Sequence, residues 1–134
     1  KLYQTSLFVN KSVNRIIEGR DHMLYLSCPG NGLGVYNPTN GESTLISYQT
    51  PMENQVTLGN DWINDLLCDK DSLIWIAHFL GVRCYDTSKN IFLSKILLNS
   101  SNVLKFGAIN LSFLKSVLLL VTTINIIKPQ DTYP

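Results

Sequence analysis

Residues 62–92 read WINDLLCDKDSLIWIAHFLGVRCYDTSKNIF, and the spacing of apolar and turn residues in this stretch decides the fold class. Three apolar runs, 63–68, 73–77 and 82–85, are separated by the polar turn Asp69-Lys70-Asp71-Ser72 and by a connection ending in Gly81. Each run has the length of a strand, and none reaches that of a helix. A second turn cluster, Asp86-Thr87-Ser88-Lys89-Asn90, leads into a fourth run at 91–98. Four antiparallel strands joined by hairpins make one small meander, whose apolar face needs a neighbour.

The neighbour is found by sliding the chain against itself. Val13-Asn14-Arg15-Ile16-Ile17 aligns with Ile63-Asn64-Asp65-Leu66-Leu67, fifty positions on, and Asp21-His22-Met23-Leu24-Tyr25-Leu26-Ser27 aligns with Asp71-Ser72-Leu73-Ile74-Trp75-Ile76-Ala77. Gly32-Leu33-Gly34-Val35-Tyr36-Asn37 then matches Gly81-Val82-Arg83-Cys84-Tyr85-Asp86 at forty-nine, so one residue is lost in the connection between the second and third strands. The turn Asn37-Pro38-Thr39-Asn40-Gly41 has the chemistry of a hairpin.

Four-stranded units at a period of forty to fifty residues predict an all-β fold of β-propeller blades. Residues 12–50 form one unit and 62–98 another; residues 1–11 read as the last strand of a preceding blade, and 99–134 as a degenerate blade. A closed propeller takes about four to eight blades. This chain supplies two to three, an incomplete propeller that needs further blades or self-association. It opens at Lys1 inside an apolar run and reads as a piece of a longer protein. The run 106–127 competes as a membrane helix, but Lys115 near its middle would cost about 2.5–3.5 kcal/mol, and its Val, Thr and Ile content favours a strand. Membrane attachment is expected only through other parts of a parent protein.

Composition narrows the function classes. The 134 residues are 45% hydrophobic and 16% charged with a net charge of +1, which is ordinary globular material. The eleven Lys and Arg residues are scattered without a basic cluster, so no nucleic-acid partner is expected. Cys28, Cys68 and Cys84 lack CxxC spacing, and His22 and His78 sit in different connections without a ligand partner, so neither metal nor cofactor is expected. Asp69-x-Asp71 is too short for a calcium loop and has the chemistry of a turn. No Gly-x-Ser-x-Gly, phosphate loop or HExxH occurs, and no enzyme activity is expected of this chain.

The order of an apolar-Asn-apolar strand, an Asp turn, Leu73-Ile74-Trp75-Ile76, Gly81 and Val82-x-x-Tyr85-Asp86 resembles the two-component regulator propeller repeat. The second unit matches best; the first has Tyr25 in place of the Trp and Cys28-Pro29-Gly30-Asn31 in its second connection. The resemblance covers about residues 12–92. It implies a periplasmic sensor region of a bacterial hybrid histidine kinase that recognises an extracellular saccharide and signals across the membrane. A propeller serving as a non-catalytic protein-interaction scaffold is the alternative.

An oligosaccharide site needs aromatic platforms for sugar CH faces beside amide and carboxylate partners for hydroxyls. One rim of the blades, made by the inter-blade loop and the second connections, supplies such residues: Asn31, Asn54, Asn60, Asp61, Trp62, His78 and Phe79. The loop at 51–61, the longest connection, is expected to contribute most. Tyr25 and Trp75 are expected to be equivalent and buried.

Overall fold

The computed structural model describes residues 5–93. Every regular element among them is a strand. The first sheet contains β1 (Arg15–Glu18), β2 (Leu24–Cys28), β3 (Gly32–Tyr36) and β4 (Ser43–Ile46). The second contains β5 (Ile63–Cys68), β6 (Leu73–His78), β7 (Gly81–Asp86) and β8 (Ile91–Phe92). Both are antiparallel meanders with strands in chain order. The fold is all-β, a partial propeller of about two blades. The expected degenerate blade at 99–134, the competing helix at 106–127 and residues 1–4 lie outside the described residues.

The strand register carries the repeat into three dimensions. Ile17 pairs with Tyr25 and Leu67 with Trp75, both fifty positions apart, while Tyr25 faces Val35 and Trp75 faces Cys84. The lost residue lies where the alignment places it. Cys28 and Gly32 enclose three connecting residues, whereas His78 and Gly81 enclose two. Backbone conformation repeats even where side chains do not: His22 and Ser72 have φ of 62° and 65°, and Gly41 and Asn90 have 80° and 54°. The first pair are L-residues in the left-handed region, which a tight turn imposes at the same place in both blades.

Alternation along the strands gives each blade two faces. Blade one turns Ile17, Tyr25, Leu33, Val35 and Ile46 toward blade two, which answers with Leu66, Ile74, Ile76, Tyr85 and Phe92. Tyr25 meets Tyr85 edge-on at 6.2 Å, and Tyr85 lies 5.1 Å from Phe92. The inter-blade connection joins this core through Met52, Val56 and Leu58. Thus much of the loop expected to face a ligand is packing material, because its apolar residues have a dry interface to fill. At the innermost strands, Arg15 of β1 reaches the buried Asp65 of β5 at 3.3 Å. These two residues occupy the same repeat position with opposite charges.

Residues 5–11 make turns instead of an extended strand. Val9 N donates to Ser6 O and Lys11 N to Phe8 O, both at 3.1 Å, and Asn10 has a φ of 62°. Phe8 is folded onto blade one's far face, where a Cβ on Gly34 would lie only 2.7 Å from its ring. The glycine makes room for that ring.

The second-strand aromatic is anchored by a carboxylate in both blades, from different positions. In blade one Tyr25 Oη donates to Asp21 Oδ2 at 2.7 Å, across the turn. In blade two Trp75 Nε1 donates to Asp69 Oδ2 at 2.7 Å, while Asp69 Oδ1 accepts from the backbone N–H groups of Asp71 and Leu73. Asp69 aligns with Gly19, where a Cβ would stand 2.4 Å from Asp21 Oδ1, so the first-blade turn has room for its carboxylate at one of the two positions. Asp69→Ala is expected to lower stability by roughly 1–3 kcal/mol through the buried donors it deprives. A urea midpoint that falls with an unchanged denaturant slope is the expected result.

Candidate functional site

The end of the blades where β5 begins is held by one short segment, Asn60-Asp61-Trp62. Asp61 O accepts from Gly30 N at 3.0 Å and its Oδ1 accepts from Tyr48 N at 2.6 Å, tying two loops of blade one to the start of blade two. Asn60 Oδ1 accepts from Trp62 N at 2.8 Å, and Trp62 O accepts from Phe79 N at 3.0 Å. Backbone and carboxylate therefore fix the segment, leaving its aromatic ring to face outward. Gly30 underlies that ring: its φ is +80°, and a Cβ there would sit 3.3 Å from Trp62 Cζ3.

Trp62 and Phe79 are 55% and 66% exposed, and together with Asn60 they line an open recess of about 320 Å³. Leu80 and Tyr48 are also exposed large side chains. Two aromatic faces and one amide offer a stacking surface with a polar neighbour.

The remaining candidates divide by what already engages them. Asn31 Nδ2 donates to Pro29 O at 3.4 Å within its own tight turn. Asp61 is occupied in joining the loops. Asn54 lies at the β8 edge, where its Nδ2 donates to Phe92 O at 2.7 Å and its Oδ1 accepts from Val56 N, so it orders the inter-blade connection. His78 is buried, at the last position of β6, and its Nδ1 accepts from Leu80 N at 3.1 Å. That hydrogen bond selects the tautomer with the proton on Nε2. Burial and the neighbouring Arg83 hold the His78 pKa down, at about 4.

Arg83 escaped the sequence reading. Its Nε and Nη2, with His78 Nε2, crowd Gly59, where a Cβ would lie 3.2–3.4 Å from all three. Gly59 has a φ of +89°, so conformation and space both call for glycine. The available signal was a charged residue amid the apolar β7, at a position where blade one has Gly34.

Among the described residues no group of His, Cys, Asp and Glu is arranged to hold a metal ion. Cys28 and Cys84 are buried and Cys68 is half-buried. Desolvation pushes the Cys28 and Cys68 thiols up, away from the reactive thiolate. Among the described residues no helix is long and apolar enough to cross a membrane. No protein-family model matches the chain, and neither does any curated protein.

Proposed function

We propose that the chain is a ligand-sensing part of a propeller that recognises an extracellular saccharide, in the periplasmic region of a two-component sensor. The observation that carries this reading is the pairing of Trp62 and Phe79 beside Asn60, in a recess whose size falls at the lower end of small-molecule sites. A sugar ring would stack its CH face on either aromatic, and the Asn60 amide would donate to a hydroxyl. The link to a histidine kinase rests on the repeat resemblance.

Titration calorimetry of the chain against saccharide pools tests the reading. Trp62→Ala is expected to weaken binding about tenfold, the loss of one good stacking contact. Affinity should change little with salt, since no basic cluster surrounds the recess. An unchanged affinity in the variant would move the site elsewhere. The exposed Leu80 beside Phe79 favours the second reading, a scaffold that docks a protein through an apolar tip. Binding to no saccharide, with capture of a protein partner lost in Leu80→Asp, is its expected signature.

A further inference from the structure

Two buried N–H groups meet beside the inter-blade connection without an acceptor. His78 is 4% exposed, and because its Nδ1 accepts from Leu80 N, its proton stands on Nε2. Arg83 lies on the neighbouring strand with its Nε also buried, and among the described residues neither His78 Nε2 nor Arg83 Nε has a hydrogen-bond partner. The Leu58 backbone is near enough to help the imidazole hold a proton, but not in the geometry of a bond to Nε2. Strand alternation puts both side chains on the face that carries Ile74, Ile76 and Tyr85, which is turned toward blade one. They thus belong to the interface between the two described blades. The ion pairs among the described residues are Arg15 with Asp65 and His22 with Glu18, and Arg83 takes part in neither.

We propose that Arg83 and His78 form a binding site for a ligand carboxylate. Arg83 turns its Nε and Nη2 to one point, the Cβ position that Gly59 leaves unfilled, at 3.2 Å each, and His78 Nε2 stands 3.4 Å from it. The Nε–Nη2 edge of a guanidinium matches the two oxygens of a carboxylate, and the imidazole N–H supplies a third donor. Buried donors without acceptors are costly, and a half-buried cation without a counter-charge is more so; a carboxylate relieves both. With the imidazole held neutral, the two side chains together carry one positive charge, which suits a monoanion better than a phosphate dianion. Gly59 and Arg83 are only half-buried, so the donors are within reach of solvent. The residues that follow Gly59 and His78 in the chain, Asn60 and Phe79, line the aromatic recess. The carboxylate site does not rest on the saccharide reading.

Titration of the full chain with sodium acetate at constant ionic strength, followed by the nuclear magnetic resonance signals of Arg83 Nε–H and the His78 ring, tests the proposal. Saturable shifts of both side chains are expected, and uncharged acetamide should produce none. Arg83→Gln should weaken acetate binding by about tenfold or more, and Arg83→Lys, which keeps the charge without the fork, should recover only part of the loss. The acetamide comparison needs no variant, so it decides the matter even where a substitution disturbs folding. Glucuronate and glucose distinguish the source of the carboxylate. A sugar-borne group makes glucuronate bind more tightly than either acetate or glucose, with the gain over acetate lost in Trp62→Ala; a free small acid makes acetate and glucuronate equal. No saturable shift with acetate, equal shifts with acetamide, or unchanged acetate affinity in Arg83→Gln would each overturn the proposal.

Discussion

Tyr25→Ala is expected to lower the stability of the chain by about 3–5 kcal/mol, the usual range for removing a large aromatic side chain from a packed core. Tyr25 is 2% exposed and spans the blade interface, meeting Tyr85 edge-on at 6.2 Å. Truncation would empty a volume bounded by both sheets, and their β-ladders resist collapse into it. Tyr25→Phe separates the ring from its hydroxyl. It keeps the interface and loses the bond to the exposed Asp21 carboxylate, which water can solvate, so a change of about 1 kcal/mol is expected. Denaturant melts of both variants check the split; equal losses would show that the anchor, and not the packing, holds the blades together. Because domains are stable by only about 5–15 kcal/mol, the alanine variant should be partly unfolded at mild temperature.

Acid is expected to destabilise the fold through His78. Its folded pKa of about 4 lies below the ordinary value of 6.5, because burial and Arg83 disfavour the imidazolium. Between these two values the unfolded chain binds the extra proton, so stability rises with pH there. The contribution is fully present above about pH 6.5 and lost as pH falls toward 4. It amounts to about 2–3 kcal/mol after allowance for local relaxation. His78→Asn can keep an acceptor near Leu80 N without a titrating group. Urea midpoints at pH 7.5 and 4.5 should drop less in this variant than in the parent chain. An equal drop would place the acid sensitivity on other groups.

The fold was legible because turn chemistry and strand periodicity are local properties that recur. The Asp69–Ser72 turn, the Asn37–Gly41 turn and the aromatic pair Tyr25 and Trp75 all occupy the places that the repeat assigned. The site was only partly legible. Trp62 and Phe79 come together because the backbone bond between them is set by the start of β5 and the end of β6, which adjacent strands require. Asn54 and Asp61 are also polar residues in a loop, yet their side chains are used within the fold. An amide or carboxylate has the same composition whether it faces solvent or completes a neighbour's hydrogen bond, and that choice depends on contacts 38 residues away for Asn54 and 13 for Asp61.

By itself the sequence determined the all-β class, the length of the repeat and the position of its single deletion, since these follow from the order of apolar runs and turn formers. Tertiary structure alone decided which face of each blade is dry, that residues 5–11 turn back over Gly34, and that Arg83 comes to lie against His78 and Gly59. The physical reason is the range of the interactions. Strand and turn preferences act over a few bonds, whereas burial and charge proximity depend on where distant segments meet.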